Sequence, residues 1–293
     1  MQTRFDRAHE GSWRWDPWTG VLWAISLIVI SIFLWILSDI LVRGLGQISW
    51  SFIVEAPRNA GRAGGIGPIL ISTLLIVLVC LVTALPVAVG TALFIAEVLP
   101  QTHPFGRFVR LSLDTLAAVP SVVFGLFGNA LFSVALGLGF SIVSGGLTLA
   151  CMILPLLIST TESSLSAVPQ SYRYAAAALG FTKSRTMLRV ILPMASPGIL
   201  VGTLLGLGRA MAETVALVFT SGYVDRLPSS LLHSGRSLSI HIFDLSMNVP
   251  GGEASAYGTA VVLVCLLLLI NGAVLCLAYV WKARTGLALA MAA

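Results

Sequence analysis

The stretch GLGRAMAETVAL, Gly206 to Leu217, sets Arg209 and Glu213 inside an otherwise apolar run. On a continuous helix the four-residue spacing puts both on one face, close enough to pair. A charge at mid-bilayer costs roughly 2.5 to 3.5 kcal/mol on insertion scales, so such groups face a bundle interior or a water-filled cavity. Two chemistries fit. One is a structural ion pair, with Asp114 as a third member, that fixes helix packing. The other is an anion route in which the Arg209 fork engages an oxyanion while Glu213 keeps the well shallow enough for release. The residue types alone leave both open.

Other chemistry finds no support in the sequence. It contains no GxxxxGK[ST] phosphate loop, no HExxH and no GxSxG, so it carries no ATP-hydrolysing or hydrolytic motif of its own. His9, His103, His233 and His241 are scattered over predicted loops. Cys80, Cys151, Cys265 and Cys276 fall within predicted spans without CxxC spacing and read as small buried apolar fillers. The expectation is a non-enzyme that holds no cofactor or metal.

The elements that position these charges follow from composition. Of 293 residues, 57% are hydrophobic and 10% charged, against roughly 25% charged in soluble domains. Uncharged runs near the roughly 20 residues a span requires predict an all-α, polytopic protein with six transmembrane helices. The first lies near Gly20 to Leu41, and the second within Ile69 to Ala96 with a kink at Pro86. The run from Thr115 to Thr161 is too long for one span and must reverse, best at LGLGF, Leu136 to Phe140, because glycine tolerates a tight turn. A fifth span is expected from about Pro197 to Thr220 and a sixth from Tyr257 to Trp281. Gly125, Gly128, Gly202, Gly206 and Gly208 offer close helix approach. Pro120 and Pro155, like Pro86, are candidate hinge points.

Lys and Arg set the orientation. With the N-terminus inside, eleven basic residues fall on inner segments and five on outer ones, the latter Arg43, Arg58, Arg62, Arg226 and Arg236. The positive-inside bias places both termini in the cytoplasm. Trp13, Trp15 and Trp18 before the first span, and Trp281 at the end of the last, suit an interfacial belt. This topology accounts for the pI near 9.3 without nucleic acid. The first apolar stretch is long enough to span and lacks a small-x-small cleavage pattern, so it reads as an uncleaved anchor. The resulting organisation is a cytoplasmic tail over 1–17, a first span over 18–42 and a periplasmic loop over 43–65. The transmembrane body follows over 66–281, with a cytoplasmic loop at 162–192, and a second tail over 282–293. The outer loop from Ser221 to Ala256 is long for a connection and reads either as a partner-contacting surface or as a solvated connector.

The loop at 162–192 contains VPQSYRYAAAALGFTKSRTMLRVILPMASPGI, Val168 to Ile199. Alanine-rich Gln170 to Leu179 is a strong helix former, Gly180 breaks it, and Thr182 can cap a second helix bearing Lys183, Arg185 and Arg189. Pro193 and Pro197 are expected to close that helix and restart the chain into the fifth span. Two short helices at an elbow make a docking surface.

This segment resembles the EAA loop of ABC importer permeases, E-A-A, three residues, G, nine residues, I-x-L-P. The matching positions are Tyr174, Ala175, Ala176, Gly180, Val190, Leu192 and Pro193. Tyr174 departs from the usual Glu, which puts any salt bridge from that position in question. The resemblance implies a type I ABC importer permease fold whose elbow seats in a separate ATP-binding subunit. Gly64 to Pro100, Asp114 to Gly128, Leu136 to Glu162 and Gly208 to Leu217 narrow the likeness to the phosphate permease family of PstA type. That family implies transport of inorganic phosphate, a second permease of PstC type, a dimeric ATPase of PstB type that uses ATP and Mg, and a periplasmic phosphate-binding protein of PstS type. Alternatives are another oxyanion, such as sulfate or molybdate, an ion-coupled secondary transporter using Glu213, or a non-transporting scaffold.

Overall fold

The computed structural model describes residues 17–100 and 103–284. Residues 1–16 of the predicted first tail and most of the last tail, with Arg4, Arg7, Arg14, Trp13, Trp15 and His9, lie outside the described residues. The architecture is helical with one two-residue hairpin. In chain order the helices are α1 (Pro17–Gly44), α2 (Trp50–Val54), α3 (Gly67–Leu93), α4 (Pro104–Ala117), α5 (Ser121–Gly128), α6 (Ile142–Ser166), α7 (Gln170–Ala178), α8 (Lys183–Thr186), α9 (Leu192–Ala212), α10 (Val215–Val218), α11 (Leu238–Met247) and α12 (Glu253–Arg284). Strands β1 (Pro57–Arg58) and β2 (Ala63–Gly64) pair antiparallel between α2 and α3.

Among the described residues five helices are long and apolar enough to cross a membrane, and a bent pair supplies a sixth crossing if its two parts count as one. The predicted first, fourth and sixth spans fall on α1, α6 and α12, and the second on α3 with its continuation to Val98. The reversal between the third and fourth falls where glycine spacing placed it, with Gly137 and Gly139 at φ 69° and 61°. The third span is different from expectation. Helices α4 and α5 meet at 102° across Ala118 to Pro120, because Pro120 takes φ −59°, ψ 143° at the start of α5 and its ring disfavours a helical residue before it.

Helix α6 is the central strut. It runs parallel to α3 and antiparallel to α9, and both pack along its length. On α3, Cys80, Ala84, Ala88 and Ala92 recur every four residues and are fully buried, a small-residue stripe that brings the two backbones together where lipid gives little drive for packing. On α9 glycine does the same work: a Cβ at Gly198 would stand 2.0 Å from Ser164 Oγ, and one at Gly202 would stand 2.1 Å from Thr160 Oγ1. Gly125 and Gly128 likewise abut Ala216 and Thr148, whereas Gly208 has nothing nearby. Of the cysteines, Cys80 is buried and Cys151 half-buried, while Cys265 and Cys276 are exposed on α12 and fill no core.

Two expected helix ends are overturned, one beside the elbow and one at the far end of α9. The chain from Lys183 to Ala212 is one continuous 30-residue helix, passing through Pro193 and Pro197. A π turn over Met187–Ile191, closed by Leu192 N–H to the Met187 carbonyl, widens the helix just ahead of Pro193 and relieves its ring clash. Pro197 cannot donate to the Pro193 carbonyl, and the Ser196 hydroxyl donates to it instead at 2.7 Å. At the other end α9 stops at Ala212, short of the predicted Thr220, with Glu213 at ψ 128°.

The segment between α10 and α12 is folded structure. Leu238, Ile240 and Leu245 of α11 are completely buried, which excludes a solvated connector there. Helix α11 is too short to cross a bilayer. Its His241 is buried, faces the left-handed turn Asn59 to Gly61, and receives Arg236 Nη1 at 3.2 Å. Arg236 also pairs with Asp244 at 3.1 Å.

Burial, reinforced by Arg236 and opposed by Asp244, pushes His241 down from 6.5 to about 4. A histidine held neutral contributes stability that is full above its unfolded pKa and falls as the pH drops toward the folded one. Thermal unfolding in detergent is therefore expected to show a midpoint that declines from pH 6.5 to pH 4. In His241→Gln that part of the pH slope disappears, and an unchanged slope would show that another group sets it.

Candidate functional site

The elbow is built from local rules. Helix α7 ends in a Schellman motif: Phe181 N–H reaches the Ala176 carbonyl at 3.0 Å and Gly180 N–H the Ala177 carbonyl at 2.9 Å. Gly180 sits at φ 73°, the left-handed conformation this cap requires. A Cβ there would meet nothing within 4 Å, so the need for glycine is conformational. Thr182 then caps α8, its hydroxyl accepting from Arg185 N–H at 3.4 Å. The expected helix, glycine break and threonine cap all stand at these residues.

The matched positions divide by face. Tyr174, Ala175 and Gly180 are exposed, Ala176 is buried, and Val190, Leu192 and Pro193 are half-buried. Leu179 and Leu188 join Tyr174 in presenting large apolar surface outward. The result is a projecting, partly apolar knob whose inner face packs on the helix bundle.

Four charges to which sequence reasoning gave no partner form two ion pairs at the root of this knob. Arg173 Nε donates to Glu97 Oε2 at 3.3 Å and Nη2 donates to Oε1, while Nη1 reaches the Val168 carbonyl at 2.7 Å and Nη2 the Leu165 carbonyl at 3.1 Å. Arg110 of α4 pairs with Glu162 of α6 at 2.7 Å. A signal was present: each of two long uncharged runs ends in a glutamate at its elbow end, Ala63 to Ala96 at Glu97 and Thr115 to Thr161 at Glu162.

Arg209 and Glu213 do not form the predicted pair. Same-face placement assumed an unbroken helix, and the chain leaves helical geometry at Glu213. Among the described residues Arg209 has no carboxylate within 4.0 Å, and neither Glu213 nor Asp114 has a cationic partner. The Glu213 carboxylate accepts from Ala216 N–H at 3.3 Å, and its backbone carbonyl accepts the Ser239 hydroxyl at 2.6 Å. Both bonds stabilise the break. Arg209 is exposed and continues a stripe on α9 with exposed Val201 and Leu205. It lies about one turn beyond Gly206, which rests on Ile153 and Leu157 near the middle of α6. Asp114 is also exposed, on α4. Among the described residues nothing covers either charge.

A crossing bundle with a projecting capped elbow matches a known family of transport subunits. Residues 88–285 match the family described as Binding-protein-dependent transport system inner membrane component. The chain belongs to this family. It is an inner-membrane, multi-pass ABC permease subunit. The probable ABC transporter permease protein YqgI of Bacillus subtilis is 30% identical over 268 residues, 86% of this permease and 91% of that protein. The phosphate transport system permease protein PstA 2 of Mycobacterium tuberculosis is 31% identical over 247 residues, 83% and 80% of the two chains. PstC of Pasteurella multocida, also named a phosphate transport system permease protein, is 31% identical over 219 residues, 66% and 67% of the two. Among solved structures, an inward-facing MetNI methionine ABC transporter aligns with TM-score 0.57 at 18% identity, covering 74% of the permease and 94% of that chain. That likeness establishes the type I importer fold.

The broken end of α9 makes a prediction that separates the two charges. Glu213→Ala removes the acceptor at the start of α10 and is expected to lower unfolding stability in detergent by about 1 kcal/mol, the usual worth of a cap. Arg209→Gln is expected to leave the stability of the isolated permease unchanged. Equal destabilisation by both, with coupling in the double variant, would restore the ion pair.

Proposed function

We propose that the permease is the PstA-type subunit of an ATP-driven importer of inorganic phosphate. The observation that carries this reading is the likeness, over more than four fifths of the chain, to permeases named for phosphate transport. The ancestry also argues against an ion-coupled carrier, because the family is one of binding-protein-dependent systems.

The physical features agree with it. An arginine without a counter-ion among the described residues, exposed on a membrane-embedded helix face, needs a second subunit or water beside it. The α9 stripe and the exposed apolar face of α4 and α5 therefore border a second permease of PstC type, and Arg209 lines the route between the two. Its guanidinium lowers the barrier for an oxyanion. With Glu213 turned away to its own cap, that charge is not locally neutralised. Asp114, exposed on the α4 side, is available to limit how tightly the anion is held.

The elbow supplies the drive. Tyr174, Leu179 and Leu188 present the surface that seats in a PstB-type ATPase dimer, where ATP and Mg are bound and hydrolysed. On the opposite side, the structured segments around α2 and α11 receive a periplasmic phosphate-binding protein of PstS type. Lipid surrounds the remaining apolar surface, and both termini lie in the cytoplasm with the elbow.

The decisive experiment is uptake of radiolabelled phosphate into proteoliposomes holding the permease, its partner permease, the ATPase and the binding protein. Uptake that needs ATP and binding protein and resists excess sulfate and molybdate is expected. ATP-driven uptake of a competitor without phosphate uptake would overturn the substrate and keep the architecture. In the same assay Arg209→Gln is expected to reduce phosphate uptake at least tenfold, with Arg209→Lys intermediate. Gly180→Val places a β-branched residue in left-handed geometry and is expected to lower phosphate moved per ATP. Normal coupling in that variant would remove the elbow from the mechanism.

A further inference from the structure

The elbow could be a passive foot or a driven lever, and the hydrogen bonds at its root distinguish the two. Arg173 stands next to Tyr174 on α7, but the two side chains meet different surroundings: Tyr174 is 73% exposed, whereas the Arg173 side chain is 18% exposed and Glu97 10%. A displacement applied at the outward face of α7 thus reaches the inward guanidinium through one residue of rigid helix.

That guanidinium is held by two elements at once. Two nitrogens grip both oxygens of Glu97, and two bonds go to the Val168 and Leu165 carbonyls at the end of α6. The Leu165 carbonyl, in the last turn of α6, lies at the negative end of that helix's dipole, and the Val168 carbonyl follows just past the cap at Ala167. Glu97 lies in a π turn, Phe94–Val98, closed by Leu99 N–H to the Phe94 carbonyl. The extra residue in such a turn shifts the helix phase by about 100°. Helices α3 and α6 are also the pair joined by the small-residue stripe, so the element gripped by Arg173 is a single packed unit.

We propose that Arg173 is the transmission residue of the permease. It keeps α7 rigidly attached to α3 and α6 throughout the transport cycle, so that movement of the ATPase against the elbow moves both spans together. The proposal rests on the coupling role of the elbow given above and is independent of which anion is carried. Arg173 is a positioning residue and touches no substrate. The Arg110–Glu162 pair is a weaker tie: one bond, with Arg110 36% exposed, in the range where an ion pair contributes little.

Two readouts test this on the assembled complex in proteoliposomes, with the ratio of anion transported to ATP hydrolysed measured for whichever anion the wild type carries. Arg173→Gln and Glu97→Gln are each expected to cut that ratio at least tenfold while ATP hydrolysis continues. The conservative variant Arg173→Lys, which keeps the charge and a donor for the same acceptors, is expected to retain at least a third of it. Unchanged ratios in both glutamine variants would overturn the proposal. The second readout uses spin labels at Ser171 and Val98, in a background with the four cysteines replaced by alanine. The separation of the labels is expected to stay within about 2 Å between nucleotide-free and ATP-bound complexes if the link is rigid. A change beyond about 5 Å in an otherwise wild-type complex would show a latch that opens, and would overturn the proposal even where the ratio falls. A wild-type complex that binds no ATPase through the elbow would instead fail the functional reading, before either variant is compared.

Discussion

Hydrocarbon offers no hydrogen bonds, so every break in a membrane helix must be satisfied by the protein itself. Much of the local structure of this permease answers that constraint. Pro197 frees the Pro193 carbonyl, and Ser196 takes it up. Pro193 would press on the preceding turn, and the π turn before it makes room. Where α9 ends, the Glu213 carboxylate caps the next short helix and Ser239 holds the Glu213 carbonyl. Local side chains thus permit a long helix to pass two prolines and then stop abruptly, and the stop frees Arg209 from its sequence neighbour.

The same constraint shapes the attachment of helices to one another. Apolar side chains are as comfortable against lipid as against protein, so adhesion between spans comes from close approach and polar ties. Cys80, Ala84, Ala88 and Ala92 supply the first between α3 and α6; Gly198 and Gly202 supply it between α6 and α9. Arg173 and Glu97 supply the second, at the bundle end where water begins. A polar clamp is strongest where it is shielded yet fully bonded, and Arg173 meets both conditions.

Legibility in the sequence followed the range of the interaction. The Gly180 turn and the Thr182 cap are set within five or six residues, and the chain displays them directly. Span positions in α1, α3, α6 and α12 depend on run length, which is equally visible. The Arg209 to Glu213 reading failed because i to i+4 spacing is meaningful only on a continuous helix, and the break at Glu213 depends on Ser239, 26 residues away. Continuity through Pro193 was hidden for a related reason: a π turn leaves no compositional mark. The Arg173 contact spans 76 residues, and only the placement of Glu97 at the end of an uncharged run hinted that it had a partner.

Helix α1 stands apart from these rules. Its membrane window has no buried residue, and it leans on the body at α12, where Gly44 lies so close to Tyr257 that a Cβ would be 2.5 Å from the carbonyl oxygen. A helix with one narrow seam against its own chain meets few packing constraints from that chain. Its side chains need only be apolar and its length sufficient, so bulky Trp23, Phe33 and Trp35 are all tolerated facing outward. As far as its own chain is concerned, α1 can therefore be redrawn residue by residue without disturbing the packed body, and sequence divergence among related permeases should collect there while the α3, α6 and α9 contacts hold.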